Sequence, residues 1–286
     1  EDGIRDRSPS RGLGDVYKRQ ASGSLKLNKT GTLASNVSMS GGTLDADETL
    51  TVSGALSHSA DIAIDVATGK ILTYSGTAIG VGANTLSLSG GGSFVSGGLT
   101  LNNADSKLLL NSITLDSAST SANSLGIDVD DNSTITALSV ANITPISVAA
   151  DKSLSGAIAV TAGSIKLTET GKVASNVTMS GGTLDADETS TLSGTLTQSG
   201  NITIDVATGK TLTYSGAKVS LGANTLTLSG GGTLGSTTPI LLNNATSKLL
   251  LNSITVGSVS TSLANSGIDV DADSTVTSLY VGHTTP

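Results

Sequence analysis

The sequence predicts an all-β chain, a parallel β-helix (β-solenoid) of about 20 residues per coil. Three observations predict it. First, SGGTLDADET at 40–49 returns letter for letter at 180–189. ASNV (34–37), IDVATGK (64–70) and GANTL (82–86) return in the same order at 174–177, 204–210 and 222–226. After one inserted residue, SKLLLNSIT (106–114) returns at 247–255 and GIDVD (126–130) at 267–271. Second, a finer period lies inside the long one, with segments opening at Gly23, Gly42, Asp61, Asn84, Asp105, Gly126, Ile146 and Gly163. Third, apolar and polar residues alternate at period two within each segment. Arrays of short units are stable only when stacked, because no unit buries its apolar face alone.

Along the chain, the alternating segments are SLKL (24–27), TLTVSG (49–54), IAIDV (62–66), ILTYSG (71–76), TLSLSG (85–90), LTLNN (99–103) and STITALSV (133–140). They are rich in Thr, Val and Ile and are punctuated by Gly, Asn and Asp, which reads as strands and tight turns. Glycine recurs too often for a stable helix. Coils stacked at about 4.8 Å would make roughly thirteen turns and a rod about 60 Å long. Inward Leu, Ile, Val and Met would form ladders, and outward Ser and Thr would cover the faces. Gly and Asn would take the left-handed corners. An antiparallel sandwich or barrel is the competing fold, but two-residue Asn-Gly or Asp-Gly hairpin loops are missing. Residues 21–286 therefore read as one continuous solenoid made of two tandem copies, 21–160 and 161–286.

Residues 1–20 do not share this text. They hold all four Arg of the chain (Arg5, Arg7, Arg11 and Arg19) with no apolar alternation. The string resembles translated sequencing-adapter read-through, so a non-native or disordered tail is expected there. The chain is then read as an internal fragment whose leader and neighbouring domains lie outside it.

Composition narrows the function. The remaining residues hold ten Lys, no Arg and nineteen acids. Such an acidic surface repels phosphate backbones, which argues against nucleic acid, and it disfavours anionic membranes. No apolar run approaches the roughly 20 residues that span a bilayer, so no membrane insertion is expected. Zero cysteine removes disulfides, thiol nucleophiles and Cys-ligated zinc together.

The repeat wording, in lines such as NTLTLSGGGTL (224–234) and SGGTLDADET (180–189), resembles the autotransporter-associated β-strand repeats of bacterial surface proteins. The resemblance implies a right-handed β-helix stalk, adhesin-like, on a cell surface or secreted from it. Its partners would be cell-surface or glycan ligands held by weak multivalent contact, and the expected localisation is extracellular.

Four constellations invite a chemical reading. GIDVDDNST (126–134) and GIDVDADST (267–275) place Asp128, Asp130, Asp131, Asp269, Asp271 and Asp273 on expected short loops. Alternating Asp begins a calcium loop. The rest of that pattern fails, with Ser274 where Gly belongs and Tyr280 where Glu belongs, so solvated turns are expected and no cofactor is required. Second, the only histidines are His58 and His283; the second copy has Gln198 in place of His58, which reads as a surface residue and not a general base. No Ser sits in a G-x-S-x-G elbow. Polysaccharide-acting β-helices remain the enzyme alternative, but the repeat lacks Arg, and Trp and Phe platforms for sugars are missing. The reading is therefore non-catalytic. Third, Tyr74 and Tyr214 are expected on a face, packing on neighbouring coils. Fourth, an ice-binding solenoid is a further alternative and needs Thr-x-Thr at one fixed place in every coil. TLT occurs at 195–197, 211–213 and 225–227, spaced sixteen and fourteen, so the register looks broken. Exposed coil edges at the two ends suggest end-to-end self-association.

Overall fold

A computed structural model describes residues 18–20, 23–264 and 266–282. Thirteen strands, one from each coil, form a single parallel sheet that runs from Ser24–Leu27 to Gly267–Ala272. We call this sheet the first face. Successive strands pair with the next coil: Leu25 with Leu44, Leu44 with Ile64, Ile64 with Leu88, and Leu88 with Leu110. Coil length varies, since the step from Leu25 to its partner Leu44 is shorter than the step from Ile62 to Leu86. Thirteen coils at the spacing of hydrogen-bonded strands give a stack about 60 Å long. The ladder also crosses the boundary between the long copies, where Ile146 pairs with Leu167.

The expected strand segments all overlap strands, and the cuts at Gly23, Gly42, Asp61 and Gly163 each immediately precede a first-face strand. The cut at Ile146 falls inside the strand Thr144–Val148. That coil opens without a Gly or Asn signal, and Pro145 lies within the strand, facing Lys166 of the next coil.

The other two faces follow each first-face strand. Early in the chain they are separate short strands, as in Leu50–Val52 and Leu56–His58. In the central coils one strand covers both: Thr114–Thr120 pairs with Ser93–Phe94 at one end and Leu99–Leu101 at the other. Its alternation slips once, at Asp116 and Ser117, so both halves still point apolar residues inward. Ser133–Val140 bends the same way, with a register shift between Ile135 and Leu138. A single slip in alternation is how a strand turns a corner without exposing its core face.

The core is a narrow column of Leu, Ile and Val, with Phe94, Met39 and Met179 completely enclosed. Leu72, Phe94, Leu115 and Ile135 stack rung on rung on the second face. Period-two burial is what makes this possible, since each inward side chain meets its counterpart one coil away.

Corners use glycine where L-residues fail. Gly156 has φ +116°, and a Cβ there would run into the Ile135 carbonyl oxygen. Among the described residues the asparagines do not take left-handed corners, contrary to expectation. Among the described residues the non-glycine positions with positive φ are Ser112, Asp151 and Ser253. Asparagine instead bonds between coils: Asn36 Oδ1 accepts Ala55 N–H at 2.8 Å, Asn176 accepts Thr195 N–H at 3.0 Å, and Asn102 accepts Gly82 N–H at 2.8 Å. A short side-chain carbonyl is the right length to reach the backbone of the next rung. The tail expected over 1–20 is described only at Lys18–Gln20, a short strand parallel to Val37–Met39.

Candidate functional site

The surface is built from outward positions stacked in columns. Acids and lysines face one another across coils. Lys26 Nζ meets Asp45 at 3.3 Å and Asp47 at 2.8 Å, and Lys166 repeats this with Asp185 at 3.4 Å and Asp187 at 2.8 Å. Lys70 pairs with Glu48 at 2.6 Å and Lys210 with Glu188 at 2.5 Å. The Lys26 ammonium is held above its ordinary range, first by the hydrogen bond to Asp47; the same cause, again Asp187 first, raises Lys166. Burial pushes Asp185 up, with the charge of Asp187 adding to it. The column continues to Asp205, directly in register with Asp185, and Asp205 accepts the Ser229 hydroxyl at 2.5 Å.

The six acids of the calcium-like segments do not share one environment. Asp128 lies in the strand Gly126–Val129, not on a loop, and pairs with Lys107 at 2.6 Å. Asp269 and Asp271 lie in the strand Gly267–Ala272, where Asp269 meets Lys248 at 3.3 Å. The short-loop placement is corrected for these three, because period-two alternation carries through GIDVD and makes it a first-face strand. Asp130, Asp131 and Asp273 lie outside strands. Asp131 is held below its ordinary range, first by the Lys152 ammonium donating to it at 2.9 Å and then by Asn132 N–H. Alternate residues of an extended strand run along the sheet and do not converge on one point. Among the described residues no three His, Asp or Glu side chains gather into a set that could hold a metal ion.

His58 is half-buried, not on the open surface. Its Nδ1 lies 3.2 Å from the Ala60 carbonyl and its Nε2 3.2 Å from the Gly80 carbonyl. Gln198 keeps this bridging position in the second copy, donating to Thr225 O at 2.8 Å. His58 thus ties two coils together. His283 lies outside the described residues.

Tyr74 and Tyr214 point into the core, not onto a face, with 2% and 3% of their surface exposed. Each hydroxyl accepts a backbone N–H, from Leu56 and Leu196 respectively, at 3.0 Å. Tyr214 Oη also donates to the Ala217 carbonyl. Burial pushes the Tyr214 hydroxyl pKa up. The alternation in ILTYSG and TLTYSG puts each Tyr on the same parity as Leu72 or Leu212, and the burial of those leucines makes that parity the inward one.

Two surface features remain. A shallow, uncharged groove of about 400 Å³ runs across central coils on the third face, over Ser117, Ser119, Ala137, Ser139, Ala157 and Ala159. Its depth comes from the small outward residues, which leave the strand backbone uncovered. The three TLT segments, meanwhile, belong to three different faces. Thr195–Thr197 lies at the third-face strand Leu196–Gln198, Thr211–Thr213 in Thr211–Tyr214 on the second, and Thr225–Thr227 in Thr225–Ser229 on the first. Spacings of sixteen and fourteen measure steps around and along the solenoid, not along one column.

No helix among the described residues is long and apolar enough to cross a membrane. The stacked parallel coils and the duplicated text define the chain as a tandem-repeat β-solenoid. No family model matches it, and no curated protein or solved structure matches it either.

Proposed function

We propose that this chain is a segment of a structural, adhesive stalk from an extracellular or cell-surface repeat protein, non-catalytic and free of cofactors. One observation carries the reading: the two long copies lie seven coils apart on one continuous stack. Ser24–Leu27 and Ser164–Leu167 occupy the same face, and each is followed by the same acid and lysine rungs. Equivalent surfaces therefore recur about 34 Å apart along the axis, seven spacings of about 4.8 Å. A rod that repeats a weak contact gains avidity without a deep pocket. The resemblance to autotransporter-associated repeats supports the same reading, and glycans or other cell-surface polymers are the partners it suggests.

The test compares the full chain displayed as single molecules and as multivalent clusters on beads, over surfaces coated with neutral and acidic glycans. Retention of clusters with negligible binding of single molecules supports an adhesive stalk. Equal, negligible retention of both forms on every surface would remove adhesion. Turnover of pectin, alginate or hyaluronan by the single chain would replace the stalk with a polysaccharide-acting enzyme.

A further inference from the structure

The second face of the last four coils carries a column of threonines in register. Thr211 pairs with Thr233, Thr233 with Thr255, and Thr255 with Thr275. Beside it, the next outward position runs Thr191, Thr213 and Gly235 in register. Gly257 and Thr277 stand two positions along from Thr255 and Thr275. None of these positions carries a charge. Inward Leu212, Leu234 and Val256 are buried, so the strands beneath are anchored by the core.

We propose that this face binds an ice surface, by holding a sheet of ordered water in an ice-like arrangement. Rungs repeat at about 4.8 Å and alternate residues along a strand at about 6.7 Å, so the threonines sample a near-rectangular grid. Both spacings lie near oxygen repeats of hexagonal ice. Threonine is stiff at χ1, which sets each hydroxyl and methyl in a repeated orientation before any ligand arrives. Gly235, where an added Cβ would come no closer than 3.8 Å to Thr211, leaves a gap beside the column where a water can sit between hydroxyls. Elsewhere hydroxyls are turned to internal use, as where Thr134 and Ser155 bond each other at 2.7 Å. Among the described residues, no hydrogen bond of that kind engages the hydroxyls of Thr233, Thr255 and Thr275. A protein partner would want a central aromatic or Arg anchor, which these columns lack. A charged polymer would want a row of counter-charges, whereas these columns hold a single one, Lys172, at the rung below Thr191.

The experiment measures thermal hysteresis and ice-recrystallisation inhibition of the full chain. The variants are Thr233→Lys with Thr255→Lys on this face, Thr255→Val, and Thr203→Lys on the first face as a control. Circular dichroism and thermal unfolding check that each variant keeps its coils. The expected result is activity in the parent chain, retained in the Thr203 variant and lost in the double Lys variant. Thr255→Val, which keeps the shape and removes one hydroxyl, should reduce it partially. Absence of activity in the parent chain overturns the proposal, as does equal loss in the first-face control. Binding to crystalline cellulose or chitin that the double variant abolishes, without effect on ice, also overturns it. The stalk reading rests on the spacing of the two copies and is tested separately by bead adhesion.

Discussion

Ser190 holds in the second copy the inward place that Leu50 holds in the first. Leu50 pairs with Leu72 across the coils, and Ser190 pairs with Leu212, the counterpart of Leu72. Ser190 is 2% exposed, and its hydroxyl finds no hydrogen-bond partner among the described residues. Two nearby positions shrink as well: Leu234 stands where the first copy has Phe94, and Val219 where it has Ile79. Leu234 and Val219 line a small apolar void of about 10 Å³. A void of that size is at the lower limit for holding a water. Ser190→Leu should therefore stabilise the chain by about 1–3 kcal/mol, by replacing an unpaired buried hydroxyl with matching apolar surface. Chemical denaturation of both forms checks it, and a lower midpoint for the Leu variant would contradict the core assignment.

The same asymmetry ranks the copies. In a stacked array, stability is a sum over units and their interfaces, so opening starts where the sum is weakest. Leu50→Ser in the first copy should cost about 2–5 kcal/mol, the usual range for emptying a packed aliphatic site. Hydrogen exchange of the parent chain should show amides around Thr211–Tyr214 exchanging faster than their counterparts around Ile71–Tyr74. Equal protection would mean that the neighbouring coils compensate for Ser190.

Much of the architecture was legible because it is written in two periods. Coil length follows from the recurrence of Gly, Asp or Asn before many first-face strands, as at Gly23, Gly42, Asp61, Asn84 and Gly163, and the two possible strand parities follow from alternation. What alternation alone could not settle was which parity faces in. Tyr74 looked like a surface aromatic until Leu72, two positions earlier, proved to be core. The Asp segments looked like loops because acids are rare in strands, yet Lys107 and Lys248 one coil away make Asp128 and Asp269 tolerable on an outer sheet face. The threonine column was hidden for a different reason. Coils of unequal length put equivalent sites at unequal sequence spacing, so only the strand register brings Thr211, Thr233, Thr255 and Thr275 into line.

Tyr214→Phe should destabilise the second copy by about 1–3 kcal/mol. The hydroxyl accepts Leu196 N–H and donates to the Ala217 carbonyl, so its removal leaves a buried backbone donor unpaired. Tyr74→Phe should cost a similar amount through Leu56 N–H. Thermal unfolding reads both, and a neutral result would show that water reaches the freed amide.

Gly156→Ala should destabilise the central coils by at least about 1–3 kcal/mol, since the backbone sits at φ +116° and the added methyl meets the Ile135 carbonyl. The bend in Ser133–Val140 would have to relax to admit it. Because this corner underlies the shallow groove on the third face, the variant should also change protease accessibility near Ala157. An alanine variant with parent-like unfolding and cleavage would show that the corner has room to spare.

Asp185→Asn should stabilise the chain at neutral pH and lose that advantage in acid. Asp185 stands in register with Asp205 and near Asp187, and its carboxyl is pushed above the usual carboxylate range by burial first and Asp187 second. A raised folded pKa means that the folded chain holds the proton more tightly than the unfolded one. Stability linked to this group is therefore full below the unfolded value and falls as pH rises through the folded one. At pH 7 the carboxylate is ionised against its neighbours, and removing the charge relieves a like-charge rung worth about 0.2–1 kcal/mol. Lys166 keeps its shorter contact to Asp187 at 2.8 Å, so the lysine is not stranded by the change. Unfolding midpoints of parent and variant at pH 7 and pH 3 decide it. A stabilisation at pH 7 that disappears at pH 3 is expected, whereas destabilisation at pH 7 would mean that the 3.4 Å contact of Asp185 with Lys166 outweighs the repulsion from Asp205 and Asp187.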